Sequence, residues 1–144
     1  MPYTVSWLVP NRIILTRYHG IFTSEDLRSY LEESLQMRDD AIAALGEDGA
    51  LIHTLTDARK LDRYTIGLAD IQGMLKSLRQ QRVGWSVFVH PGKMERFFSS
   101  IGHHWVGVRH REFATIEDAI VFLKEDASLP DFTYVPEEPE SQSS

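Results

Sequence analysis

The stretch between residues 51 and 124 decides the fold, and it divides into four pieces: LIHTLTDARKL (51–61), IGLADIQGMLKSLRQQ (66–81), GWSVFVHPGKMERFFSSIG (84–102) and VGVRHREFATIEDAIVFLK (106–124). Short apolar runs alternate here with longer stretches whose apolar residues recur every three or four positions. This alternation predicts strand, helix, strand, helix, strand, helix. The order is typical of an α/β domain, whose ligands bind in the loops at the carboxyl ends of the strands.

Two strands and one helix are predicted before this stretch. Residues 3–9 alternate between apolar and polar side chains, and the apolar run RIILTRYHGIF (12–22) follows a Pro-Asn turn, so the two form a predicted antiparallel hairpin. Thr23 and Asp26 then have the spacing of an N-terminal capping box, and Gly46 ends the helix. The sequence therefore predicts a mixed sheet of about five strands with about four helices.

The composition limits the class of protein. A chain of 144 residues with 42% hydrophobic content is long enough for one domain with a core. It contains no cysteine, which excludes disulfides and thiolate chemistry and predicts a reducing, cytoplasmic environment. No signal peptide and no transmembrane segment is visible in the sequence. We expect an α/β domain at 1–129 and an acidic tail, partly disordered, at 130–144.

Charge is distributed unevenly along the chain, whose net charge is -6. After Lys124 there are acids but no Lys or Arg, so the preceding body is neutral. Within that body, 23–49 is acidic and 76–111 is basic, with Glu95 the single acid of the basic segment. The simpler interpretation of this charge distribution is two solvent-exposed faces of opposite charge. The alternative is a surface with one acidic and one basic region, which would steer a protein partner or pair with a second copy of the chain in a homodimer. A nucleic-acid partner is not expected, because no known nucleic-acid-recognition motif accompanies the Lys and Arg residues.

Two groups of residues are the candidates for a binding site. His90 and Lys93, in His-Pro-Gly-Lys, follow a predicted strand and precede a helix, where free N–H groups favour an anion. The simpler interpretation is a strand-to-helix turn. The second group lies in the predicted loop 57–67. From the two groups and the surface around the first, we expect these residues to bind a ligand or a partner: Asp57, Asp62, Tyr64, Thr65, His90, Lys93, Arg96 and Phe97.

No catalytic residue, metal site or cofactor is predicted. Asp57 and Asp62 are a conceivable acid–base pair, but no nucleophile or poised histidine is identifiable beside them, and helix capping is a simpler role for Asp62 or Thr65. Among the six histidines, the cluster in HHWVGVRH (103–110) has no recognisable metal-ligand spacing. His53 lies within an apolar strand and is interpreted as a core or edge residue.

The predicted order of elements resembles the STAS domain, the fold of the SpoIIAA-like bacterial anti-sigma-factor antagonists, from about residue 3 to 124. LIHTLTDARKL (51–61) resembles the family's apolar strand that ends in Asp, and REFATIEDAIVFLK (111–124) resembles its closing helix with the preceding Phe and cap. In the antagonists an Asp-Ser pair at the start of the second helix carries the phosphorylated serine. Here that place reads RYTIG (63–67), which has no serine, so Tyr64 and Thr65 are its only hydroxyls.

The resemblance implies a non-enzymatic regulatory module that interacts with a protein partner or with itself through 57–67 and 90–97. A second hypothesis follows from divergent SpoIIAA-like proteins and lipid-binding domains of related fold. It is a carrier or sensor that binds a small apolar or anionic ligand at the carboxyl edge of the sheet. An enzyme, for example a hydrolase that uses His90, is the third and weakest alternative.

Overall fold

The computed structural model describes residues 3–46, 51–67, 69–70, 72–73, 76, 83–90, 109–125, 129 and 132–134. The elements in chain order are β1 (Tyr3–Val9), β2 (Ile13–Thr23), α1 (Ser24–Leu45), β3 (Ile52–Thr65), β4 (Val83–Val89), β5 (His110–Phe113) and α2 (Ile116–Lys124). The five strands form one sheet in the order β1-β2-β3-β4-β5. The pair β1–β2 is antiparallel, and every later pair is parallel. The predicted mixed α/β sheet with an N-terminal hairpin is therefore confirmed.

Helices α1 and α2 correspond to the first and the last of the four predicted helices. The described residues within 69–76 have helical backbone, at the place of the second predicted helix. The third predicted helix, at 91–102, lies outside the described residues. None of the described helices is long and apolar enough to cross a membrane.

The two faces of the sheet are covered by different helices. Ile14 and Ile52 pack with Ala41 of α1, whereas Leu15 and Leu55 pack in a larger cluster with α2. This separation follows from strand geometry, because successive side chains of β2 and β3 point to opposite faces. The α1 face continues toward the carboxyl edge as a third cluster, which contains Tyr3, Phe22, Leu27, Tyr30, Ala58 and Leu61.

Helix α1 begins with the predicted capping box. The Thr23 side chain accepts a hydrogen bond from the Asp26 amide, and the Asp26 carboxylate accepts one from the Thr23 amide at 2.9 Å. The helical spacing of the apolar residues predicts a stripe that consists of Leu27, Tyr30, Leu31, Leu35, Ile42 and Leu45. The buried face of the helix differs from this stripe, because it includes Ser34 and Arg38. Predicted stripe residues such as Leu35 are only half-buried. The helix is thus rotated so that a polar strip lies against the sheet.

The predicted loop 57–67 is wrong for most of its length, because β3 continues as a strand to Thr65. The strand continues since β2 runs equally far: Gly20 pairs with Leu61, and Thr23 pairs with Thr65. The register shifts on either side of Gly20, whose φ of +70° is readily adopted only by glycine. Leu61, beside this bend, is buried and anchors the otherwise polar end of β3 to the core.

Candidate functional site

The candidate site lies where the parallel strands end. Asp57 pairs with Val89 across β3 and β4, so His90 directly follows the last residue that β4 contributes to this pairing. Past Asp57 the described partner of β3 is β2 alone, and the two strands extend together beyond β4. The structure thus places His90 at the end of β4 and Asp57 in the neighbouring β3, which continues to Thr65, toward the carboxyl edge where open α/β sheets bind their ligands.

Asp57 is held by a bidentate ion pair with Arg59. Its Oδ1 accepts a hydrogen bond from Arg59 Nε at 2.9 Å, and its Oδ2 accepts one from Nη2 at 2.8 Å. The Arg59 amide also donates to Oδ1 at 3.1 Å. Burial acts to raise the pKa of Asp57, but the hydrogen bonds and charge of Arg59, with a contribution from Arg17, outweigh it and hold that pKa below its usual value. Hydrogen bonding to Asp57 in turn raises the pKa of Arg59.

This pair gives Asp57 a positioning role. A carboxylate whose oxygens already accept hydrogen bonds from Arg59 is a weak base. The pair instead fixes the guanidinium, whose side chain remains 40% exposed and whose Nη1 does not bond to Asp57. The arrangement orients one cationic edge of Arg59 away from Asp57.

His90 is buried, with 7% of its surface exposed. Its amide donates to the Phe113 carbonyl oxygen at 3.0 Å, which joins the ends of β4 and β5. Its Nε2 lies 3.9 Å from Glu112 Oε2, an ion-pair distance when the imidazole is protonated but longer than a hydrogen bond.

Of the remaining predicted site residues, the structure describes three, and these lie on the extension of β3. Asp62 and Thr65 are exposed on the extension of β3, and the backbone of Tyr64 pairs with Phe22. The Ser24 hydroxyl donates a hydrogen bond to the Asp70 carboxylate at 2.7 Å, and its oxygen lies 3.4 Å from the Thr65 carbonyl oxygen. The predicted site residues Lys93, Arg96 and Phe97 lie outside the described residues.

A groove of about 450 Å³ borders Arg59 on the α2 face of the sheet. Its apolar wall comes from Ile116 and Ile120, and its polar wall includes Lys124 and Tyr134. Arg17 fixes Tyr134 by a 3.3 Å hydrogen bond from Nη2 to the phenolic oxygen and by stacking over the ring. The sequence does not predict this groove, because residues far apart in the chain form it and no motif marks them.

The polar strip on the other face was also missed. Arg38 of α1 is 2% exposed and contacts Thr54 of β3. Its position three residues after Leu35 and four before Ile42 was the available signal, since it falls between two predicted core positions.

Comparison with known proteins establishes the fold. No family model and no curated protein matches the chain. Among solved structures, an uncharacterized protein of the DUF3478 family from Shewanella loihica PV-4, with a SpoIIAA-like fold, is 17% identical, with 84% of this chain and 91% of that chain covered and a TM-score of 0.52. The anti-sigma factor antagonist SpoIIAA in its unphosphorylated form is 13% identical, with 85% and 97% covered and a TM-score of 0.50. This chain therefore has the SpoIIAA-like fold of STAS domains.

Proposed function

We propose that this protein is a non-enzymatic regulatory module that binds a protein partner, as the SpoIIAA-like antagonists do. The fold supports this class of function, since one of its structural neighbours is an anti-sigma factor antagonist. The absence of cysteine in the sequence is consistent with action in the cytoplasm.

The observation that carries the proposal is the surface of the β2–β3 extension, defined as residues 19–23 and 60–65. This ribbon exposes Lys60, Asp62 and Arg63, next to Arg59. Ile21 on the same ribbon is 44% exposed and places an apolar side chain beside these charges. Interfaces commonly combine an apolar centre with arginine and a charged rim. The excess of bases over acids favours a partner with an acidic surface.

Charge reversal on this surface tests the proposal. Arg63→Glu alters the extension, and Arg109→Glu is the matched control, since Arg109 is also exposed but precedes β5 at the opposite end of the strands. Partners captured from a lysate of the native host with the wild-type protein are identified, purified and titrated against all three proteins. We expect Arg63→Glu to weaken binding by about tenfold or more and the control to change it little.

Two results would contradict this assignment. Equal affinity of the purified partner for the wild type and Arg63→Glu would show that the extension is not part of the interface. If the protein captures nothing that an untagged control does not, and if its mass in solution is that of a monomer, the proposed protein-binding function is wrong. If the partner is a second copy of the chain, light scattering shows a dimer that Arg63→Glu dissociates.

The groove beside Arg59 supports a second candidate, a carrier of a small amphipathic ligand. Its volume of about 450 Å³ falls within the range of small-molecule sites. Native mass spectrometry of the freshly purified protein tests this function. A mass equal to that of the bare polypeptide would count against a retained ligand.

A further inference from the structure

Helix α1 buries a cation in the middle of the face that it turns toward the sheet. Arg38 is 2% exposed and heads the largest fully buried side chains of the described residues. Its neighbours in sequence, Asp39 and Asp40, are exposed on the outer face of the helix. The guanidinium is therefore separated from the nearest acids of its own helix.

Most hydrogen-bonding capacity of Arg38 is unused. Nη2 donates to the Thr54 hydroxyl oxygen, while Nε and Nη1 are buried without an acceptor among the residues that the structure describes. A guanidinium carries five N–H donors, so one neutral acceptor satisfies it poorly. Burial lowers the pKa of Arg38, opposed only by the nearby Tyr30. No described carboxylate forms an ion pair with it.

Several hydroxyl side chains share the buried interface between α1 and the sheet with Arg38. Ser34 and Tyr30 lie about one and two turns before Arg38 on the same buried face of α1, and Thr16 and Thr54 are buried on the facing strands. The Thr16 hydroxyl donates to the Tyr30 oxygen at 3.4 Å, which leaves the Tyr30 proton available for another acceptor. The Thr54 proton is available in the same way, since its oxygen accepts from Arg38.

A buried charge without a counter-charge is destabilising, so an anion next to Arg38 would stabilise this interior. Oxyanions are bound in proteins by guanidinium and hydroxyl donors of this kind. We propose that Arg38, with Tyr30 and Thr54, binds a small oxyanion between α1 and the sheet, either a free ion or the carboxylate or phosphate group of a small molecule. This site is independent of the proposed protein interface and lies on the face of the sheet opposite the groove.

One alternative is internal to the chain. Glu95 is the single acid between residues 71 and 111 and lies outside the described residues. A carboxylate of the chain that pairs with Arg38 would make an external anion unnecessary. The experiment must separate these two sources of negative charge.

Thermal unfolding of dialysed protein in phosphate, acetate or chloride at equal ionic strength provides the test. The variants are Arg38→Met, Glu95→Gln and the matched control Arg28→Met, which removes an exposed arginine from the same helix. We expect phosphate or acetate to raise the Tm of the wild type by roughly 5–10 °C when its concentration is about a hundred times Kd. The Arg28→Met protein should show the same rise, and Arg38→Met should show none.

Native mass spectrometry before dialysis distinguishes the sources of the oxyanion. A retained mass above that of an inorganic ion identifies a small molecule, and its loss in Arg38→Met locates it. A wild-type Tm that is the same in all three salts, with no retained mass, overturns the proposal. A Glu95→Gln variant that is destabilised only when Arg38 is present overturns it as well, because Glu95 is then the counter-ion. If Arg38→Met does not fold, Thr54→Val takes its place, and the salt dependence of the wild type still decides.

Discussion

Asp57 contributes to stability because its charge is better stabilised in the folded protein than in the unfolded chain. Its folded pKa is lowered by Arg59. A carboxyl with a lowered folded pKa stabilises the fold above its unfolded pKa of about 3.9, and this contribution disappears as the pH falls through the folded pKa. We therefore expect the free energy of unfolding to decrease below about pH 5 in the wild type and to decrease less in Asp57→Asn.

Urea denaturation between pH 7 and pH 3 measures this difference. At pH 7 Asp57→Asn should lose about 1–2 kcal/mol, since the amide keeps one acceptor but loses the charge-assisted pair. Asp62→Asn is the matched control on the same strand, where the side chain is exposed, and it should change stability by less than about 0.5 kcal/mol. Parallel pH profiles for the wild type and Asp57→Asn would show that the pair does not stabilise the fold.

The backbone of Gly84 approaches the buried His53 ring, so a side chain at this position is expected to destabilise the fold. A Cβ at Gly84 would lie 2.6 Å from His53 Cε1 and 3.1 Å from Cγ. The ring cannot move freely, since its Nδ1 accepts a hydrogen bond from the Trp85 amide at 2.9 Å. Gly84→Ala should therefore cost about 1–3 kcal/mol in urea denaturation.

The control for this prediction is Gly73→Ala. A Cβ at Gly73 meets no atom within 4 Å, and the position is helical, so alanine should be neutral or stabilising by up to about 1 kcal/mol. In a His53→Ala background the cost of Gly84→Ala should fall, because the obstructing ring is gone. An unchanged cost in that background would locate the strain elsewhere.

At the scale of elements, the capping box of α1 connects the helix to the β2–β3 extension. Thr23 both caps α1 and pairs with Thr65, the last residue of β3. Thr23→Ala should destabilise the protein by about 1 kcal/mol in urea denaturation, and Thr23→Ser should restore most of the loss because the hydroxyl acceptor returns. Equal stability of the two variants would show that the hydroxyl does not stabilise the helix.

The elements also show how far the sequence predicts this molecule. Periodicity and capping signals gave β1, β2 and the start of α1 at Thr23, since these patterns depend on neighbouring residues. The same local patterns failed for 57–67, where pairing with β2 keeps a polar segment in a strand. They placed Asp57 and His90 at one edge but missed Arg59, Tyr134 and Arg38. The contacts of those side chains depend on tertiary packing, which periodicity does not record.

At the scale of the whole molecule, the question is where the folded unit ends. Sequence composition predicts a domain boundary at residue 129, yet Phe132 is only 9% exposed and belongs to the α2-face cluster. Lys124 lies over the Phe132 ring at 5.4 Å, and Arg17 bonds to Tyr134. These contacts join the segment after residue 129 to β2 and α2, so we propose that the cooperative unit extends at least to Tyr134.

Truncation tests this boundary. A chain that ends at residue 134 should unfold within about 0.5 kcal/mol of the full chain, because it keeps these contacts. A chain that ends at 129 should lose about 2–4 kcal/mol, since removing a buried aromatic side chain leaves a cavity in the cluster. Phe132→Ala in the full chain should reproduce most of that loss, whereas Thr133→Ala, at an exposed position, should not. If the chain ending at 129 is as stable as the full chain, the segment around Phe132 adds nothing to the core and the domain ends where its composition changes.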